Sequence, residues 1–230
     1  LGPIAGRTPN QSRRNMSCAK WKGYMKNVYG IWLPDHEQHF LEYATGRGWT
    51  YQKHKLNAAM RMCKRRKLAI DIGGHCGLWS MHLVKLFDKV VAFEPVADHR
   101  ACYVKNVVGD NYTLHPYGLG NYERRADIHI THGSSGGSHV VDGDSVEIKL
   151  LDSFNLEPDF IKIDTEGFEY YICLGGEQTI RTHKPLMCVE QKPHKVTNFG
   201  FSGTDAVNLL ESWGYKVRQE IVGDYIMSCD

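Results

Sequence analysis

A chain of 230 residues, 42% of them hydrophobic and 23% charged, can form one well-cored domain plus an extension and is short for two full domains. A formal net charge of +2 creates no global field that would draw a nucleic acid or a membrane surface, and no apolar run approaches the roughly 18–20 residues of a membrane span. The seven cysteines (Cys18, Cys63, Cys76, Cys102, Cys173, Cys188 and Cys229) are odd in number and show no C-x-x-C spacing, so buried reduced thiols and a reducing, cytoplasmic setting are expected.

Residues 1–20 are polar and carry Arg7, Arg13 and Arg14. They read as a flexible arm, the alternative being a basic arm that touches an anionic substrate. Leu1–Gly6 lacks the apolar core of a secretory signal. Residues 21–230 read as a single domain, with helices over 21–67 and a core over 68–230. Asp35 can cap a helix running to Tyr43 with Phe40 and Leu41 inward. Gly46-Arg47-Gly48 breaks it. Leu56, Met60 and Cys63 recur at helical spacing, which predicts a second helix over Thr50–Lys67. Its end carries Arg61, Lys64, Arg65, Arg66 and Lys67. Such cations serve the helix dipole and a solvated face; the alternative is a phosphate-binding patch.

Leu68-Ala69-Ile70-Asp71 then leads into Gly73, Gly74 and Gly77. Apolar residues before the glycines and a helical pattern from Leu78 predict a buried parallel strand, a tight turn and a helix N-terminus. Glycine lets the backbone turn sharply and lets a ligand approach it. A dinucleotide fingerprint, G-x-G-x-x-G, would need glycine at 72, where Ile72 stands. A carboxylate at the strand end also suits an ammonium or sulfonium better than a pyrophosphate. The string from Asp71 to Gly77 resembles the first motif of class I methyltransferases that use S-adenosylmethionine (SAM). That resemblance implies that Asp71, Gly73, Gly74, His75, Gly77 and Leu78 wrap the methionine end of SAM. The alternative is a strand–helix turn with no ligand.

Val90–Phe93 is a second short apolar strand, followed by Glu94 and Pro95. Glu94 lies 17 positions after Gly77, at the end of the next parallel strand, where a carboxylate can accept hydrogen bonds from both ribose hydroxyls. Pro95 ends the strand. The βα alternation continues with a helix over 78–87, a helix near Ala97–Val107 and a third strand over Tyr112–Tyr117. Gly118-Leu119-Gly120 follows, where related methyltransferases seat the adenine. Ala126, Ile128 and Ile130 alternate with polar residues, as do Val146, Ile148 and Leu150; these are half-exposed antiparallel strands. The Gly/Ser stretch between them, Thr131–His139, reads as a mobile hairpin loop, or as a loop that closes over substrate.

Phe160, Ile161 and Ile163 predict a buried strand with Asp164, Glu166 and Glu169 at its C-terminal end. Ligands of doubly wound sheets gather beyond strand C-termini, and three carboxylates there must be solvated, paired or used. Lys162 can neutralise one of them. The alternative is that these acids meet a helix dipole or cap it. Pro185–Glu190 reads as a fifth strand with His194 in the following loop, Asp205–Trp213 as a helix, and Tyr215–Gln219 with Asp224–Ser228 as a closing antiparallel pair.

Ile70-Asp71-Ile72-Gly73, Gly77, Phe93-Glu94-Pro95, Leu151-Asp152, Lys184-Pro185, Val189-Glu190 and above all Lys162-Ile163-Asp164-Thr165-Glu166-Gly167-Phe168-Glu169 together resemble the FkbM-type methyltransferases over roughly residues 65–192. The resemblance implies an α/β, class I (Rossmann-like) doubly wound, mostly parallel seven-stranded sheet with a terminal antiparallel strand, here carrying an N-terminal helical extension. It implies SAM as methyl donor, S-adenosylhomocysteine (SAH) as product, and a hydroxyl on a sugar or other small acceptor. Gly74 stands where the family often has alanine. Asp164 is the expected general base or hydroxyl-orienting group, Glu166 and Lys162 its neighbours, and His194 the reserve. His36 and His39 have a metal-compatible spacing but no second pair completes a site, so no metal is expected, although carboxylates alone can hold Mg²⁺. Two other readings stay open. One is a nucleic-acid ribose 2′-O-methyltransferase using Lys162, Asp164, Glu190 and Lys192; the other is a nucleotide-binding module without catalysis.

Overall fold

Alternation along the buried strands decides which side chains meet which layer. The computed structural model describes residues 25–45, 48–131, 133–193 and 200–229; the arm over 1–20 and His194 lie outside them. A hairpin of β1 (Met25–Val28) and β2 (Ile31–Pro34) comes first, then a 3₁₀ turn (His39–Tyr43), the short pair β3 (Ala44–Thr45) and β4 (Gly48–Trp49), and helix α1 (Lys53–Met62). Next are β5 (Leu68–Ile72), α2 (Ser80–Leu83), β6 (Lys89–Phe93), α3 (Ala97–Asn106) and β7 (Tyr112–His115). A side sheet is built from β8 (Gly118–Leu119), β9 (Arg124–His129) and β10 (His139–Lys149). The chain closes with β11 (Phe160–Ile163), α4 (Glu169–Gly175), α5 (Glu177–His183), β12 (Leu186–Glu190), α6 (Asp205–Ser212), β13 (Lys216–Ile221) and β14 (Asp224–Ser228).

The main sheet has seven strands in the order β13-β14-β12-β11-β5-β6-β7. The doubly wound, mostly parallel sheet expected from the sequence is therefore present. Its antiparallel strand is β14, which is last in the chain but lies between β12 and β13 rather than at the edge. Ile70, Ile72, Ile161, Ile163, Met187 and Val189 point to one face and pack under α4, α5 and α6. Ala69, Val90, Ala92, Phe160 and Cys188 point to the other and meet Leu56, Trp79, Leu83 and Tyr103. Each fully buried isoleucine stabilises by about 1.5–3 kcal/mol. Asp71 and Lys162 belong by register to the second face, directly opposite each other on β5 and β11.

The extension departs from the helical expectation. Among the described residues of 25–62 the α-helical stretch is α1 alone, and it is shorter than Thr50–Lys67. The helix expected over Asp35–Tyr43 is a turn after β2, a single bridge from Glu37 to Gly133 and a 3₁₀ turn. Tertiary hydrogen bonds outweigh local propensity here. Asn106 receives the Trp32 amide at 2.7 Å and donates to the Trp32 carbonyl at 2.8 Å. Gln38 and His39 both donate backbone N–H groups to Gly133 at 3.1 Å. The helix expected over 78–87 shrinks to α2 because His82, Lys85 and Leu86 bond back three residues rather than four. The six described cysteines, Cys63, Cys76, Cys102, Cys173, Cys188 and Cys229, are free thiols. No helix among the described residues is long and apolar enough to cross a membrane.

Candidate active site

Parallel strands deliver their loops to one edge, and a cleft opens there beyond the C-terminal ends of β5, β6 and β11. Its empty space is about 920 Å³ when the part open to solvent is counted. Of the expected cofactor residues, Gly73, Gly74, His75, Leu78, Glu94, Pro95, Gly118 and Leu119 line it. Asp71 and Gly77 do not. Asp71 lies within β5 instead of past its end. It is fully buried, accepts Ser80 Oγ–H at 2.7 Å and stands 3.4 Å from Lys162 Nζ. Gly77 is a packing residue: at φ +81°, a Cβ there would sit 2.6 Å from Val107 Cγ2.

Gly73 is the tightest point. Its φ is +76°, and a Cβ would fall 2.0 Å from the Asp164 carbonyl oxygen. The β5 and β11 loops therefore touch through backbone, which no side chain would allow. The amides of this loop are spent inside the protein. Gly73 and Gly74 donate to the Phe93 carbonyl at 3.0 and 3.1 Å, Gly77 donates to Gly74 at 2.8 Å, and His75 donates to Glu94 Oε2 at 2.8 Å. Few donors are left for a pyrophosphate, and α2 is only four residues long. The loop offers a ligand close backbone approach more than an anion cradle.

Glu94 is buried where β6 ends, and its two oxygens face different partners. Oε1 accepts from the Val96 amide at 2.8 Å and from His99 Nδ1 at 3.2 Å, and Oε2 from His75. Burial pushes its carboxyl up, but His99 and the two amides more than offset that and hold it below the ordinary range, so Glu94 is a carboxylate. Among the described residues His99 Nε2 has no hydrogen-bond partner. Ser135 Oγ–H donates to Glu37, so its oxygen accepts from His75 Nε2–H at 2.8 Å. His75 Nδ1 is then an acceptor without a partner among the described residues. Burial, then His99 and Lys162, hold His75 well below the usual histidine range, so it is neutral.

Across the cleft, Lys162 Nζ lies 3.4 Å from Asp71 and 3.6 Å from Asp164, over the Trp79 ring. Burial pushes its pKa down, but the two carboxylates more than compensate and keep it above the ordinary lysine range. Asp164, Glu166 and Glu190 bring oxygens within 4.8 Å of one another, close enough to share one cation or one set of donor hydroxyls. His36 and His39 join no such group among the described residues. Glu166 holds φ +61°, a conformation rare outside glycine that clusters at functional sites. Glu169, rather than Asp164, accepts the turn amides of Thr165 and Gly167, at 2.9 and 3.1 Å. Burial raises Glu169 to about 7.

Three wall residues carry no signal in the sequence that marks them for the site, Phe40, Tyr51 and Trp79, whereas Ser135 lies in the Gly/Ser stretch. Tyr51 is held well above the ordinary tyrosine range by burial and then by Asp164, Glu190 and Glu166, so its hydroxyl stays a neutral donor. His99 was findable, because it follows Glu94 by five residues, on the first turn of α3. The basic run 61–67 lies at the opposite edge of the sheet, where Arg66 donates to the Met60 carbonyl at 2.9 Å and Arg65 pairs with Asp159 at 3.0 Å.

The model of the FkbM methyltransferase domain matches residues 71–217. Among solved structures, the FkbM methyltransferase of Methylobacillus flagellatus KT is similar over 71% of this chain and 43% of its own, at 19% identity and a TM-score of 0.50; this chain thus spans less than half of that one. A precorrin-6y C5,15-methyltransferase of Geobacter metallireducens GS-15 aligns over 81% of this chain and 92% of its own, at 16% identity and a TM-score of 0.49. The N-methyltransferase NodS of Bradyrhizobium japonicum WM9, solved with SAH, aligns over 78% and 86% at 7% identity and a TM-score of 0.47. No curated protein sequence is significantly similar. With the family's domain model covering well over half its length, the chain belongs to the FkbM methyltransferase domain family.

Proposed function

We propose that the chain is a SAM-dependent methyltransferase that methylates a hydroxyl on a small acceptor, a sugar being the leading class. One observation carries this: an ionised, buried Glu94 stands beside a glycine loop with committed amides, and a separate group of carboxylates closes the far side of the same cleft. The residues fit the cofactor. Glu94 would accept the ribose hydroxyls. The Gly73–His75 backbone would flank the methionine end, and Pro95, Gly118 and Leu119 the adenine. The uncommitted His75 Nδ1 suits a ligand bearing a donor, and the unpartnered His99 Nε2 leaves a second polar atom for it. SAM, when bound, supplies a methyl group already activated on a sulfonium.

What remains for the protein is to place the acceptor oxygen and take its proton. Alignment supplies up to about 7–11 kcal/mol of a barrier, and a positioned base a further ~10²–10⁴-fold. Asp164 lines the cleft and is held by Lys162, so it is the residue proposed to orient or deprotonate the hydroxyl. Lys162 stays protonated and fixes its carboxylate. Glu166 and Tyr51 line the same cleft and are proposed to hold the rest of the acceptor. The acid-rich wall disfavours a phosphodiester acceptor, and the basic run lies at the other edge of the sheet. Incubation with labelled SAM against pooled sugars, small phenols and RNA tests the reading. Label should enter the sugar or phenol pool. Label in RNA alone would reverse the substrate assignment, and none in any pool would leave a binding module.

A further inference from the structure

The wall of the cleft formed by the Gly/Ser loop hangs from one carboxylate. Glu37 belongs to the N-terminal extension, has no exposed surface, and would be costly to bury without partners. Its Oε2 accepts from the Ser135 amide at 2.6 Å and from Ser135 Oγ–H at 2.5 Å, and its Oε1 from the Phe40 amide at 3.1 Å. The Gly133 carbonyl takes both the Gln38 and His39 amides, so the two segments are joined by backbone as well. Ser135 Oγ also meets His75 Nε2, and the His75 amide donates to Glu94. His75 holds φ +47°, which a non-glycine residue keeps only when its surroundings enforce it. A continuous chain of hydrogen bonds thus runs Glu37–Ser135–His75–Glu94, from the extension through the loop to the acid assigned to the ribose.

We propose that Glu37 and Ser135 are positioning residues for the cofactor: latched to each other, they hold His75 in the conformation that aims its amide at Glu94 and fix residues 133–138 as the wall of the cofactor site. Neither acts on the reacting atoms. The proposal rests on the cofactor reading above, and it adds a dependence of cofactor affinity on a residue of the extension. A loop that merely needed to fold would place no such demand on Glu94.

A double-mutant cycle tests it. SAH affinity is measured by calorimetry on the full chain for the parent, Ser135→Ala, Glu94→Gln and the pair, with Glu37→Gln as a second way of opening the latch. Ser135→Ala and Glu37→Gln should each weaken SAH about tenfold in the parent background, the scale of one buried hydrogen bond. In the Glu94→Gln background the Ser135→Ala loss should shrink to about twofold or less, because the two residues act through one another. Undiminished SAH affinity in both latch variants, or the same loss in both backgrounds, would overturn the positioning role. A parent that binds no SAH would overturn the cofactor reading itself, and the latch with it.

Discussion

The two edges of the main sheet carry opposite chemistry. At the C-terminal edge of the parallel strands stand Glu94, Asp164, Glu166 and Glu190, with Asp224 paired to Lys55 just behind. At the other edge Arg61, Lys64, Arg65, Lys184 and Arg218 line a groove in which Asp159 is the one carboxylate among the described residues. The acids are buried or half-buried, crowd one another and force compensations: Lys162 between two carboxylates, Lys192 on Glu190, and Tyr51 kept protonated. These cations are exposed; Arg65 pairs with the buried Asp159 and Arg218 donates to Ser228 Oγ at 2.9 Å. Burial makes a charge expensive, so a crowded, desolvated set of charges marks where the fold spends stability on chemistry. A solvated set of the same size does not.

The largest effect in breaking this contrast should come from Asp71→Ala. It leaves Lys162 buried with Asp164, 3.6 Å away, to balance it, and removing one partner of a buried pair costs about 3–5 kcal/mol. Urea unfolding measures it; a loss under about 1 kcal/mol would mean the interior lysine is solvated. Next is Asp164→Asn. Once the labelled screen has supplied an acceptor, turnover should fall by about 10²-fold or more, while folding and SAH affinity hold nearly constant. Turnover like the parent's would return the base role to Glu166 or His194.

A smaller, pH-dependent effect belongs to Glu169. Its folded value of about 7 exceeds the ~4.3 of a free glutamate. The folded chain therefore binds more protons than the unfolded chain between those values, and stability is lost as pH rises through that window. Glu169→Gln keeps an acceptor for the Thr165 and Gly167 amides and cannot ionise. Its melting temperature relative to the parent should climb from about pH 4 to pH 7 and then level off; a constant difference would contradict the burial argument. The smallest effect is expected at the other edge. Arg61→Gln, on the exposed basic groove, should change stability by no more than about 0.5 kcal/mol and leave SAH affinity untouched.

The acidic edge and the fold that builds it were legible because both rest on local signals. Short apolar runs ending in Asp, Glu or Gly have few other ways to pack, and Gly73 is irreplaceable for a reason that a turn motif encodes. A motif does not say whether its acid falls on the last inward position of a strand or just beyond it; for Asp71 the register with Lys162 decides for the interior. The extension was illegible for a different reason. Glu37, Gln38 and His39 take their conformation from Gly133 and Ser135, about a hundred residues away, and Trp32 from Asn106. A helical periodicity in 35–43 could not compete with bonds that exist only after the chain has folded.

The central claim is that Glu94 and the glycine loop form a site for SAM and not for a dinucleotide. Calorimetry with SAH and with NAD, on the parent and on Glu94→Ala, tests it most directly. SAH should bind the parent with NAD showing no measurable heat of binding, and Glu94→Ala should weaken SAH by roughly 1–3 kcal/mol, the cost of leaving buried hydroxyls unpaired. NAD binding in preference to SAH, or SAH affinity unchanged in Glu94→Ala, would contradict the account.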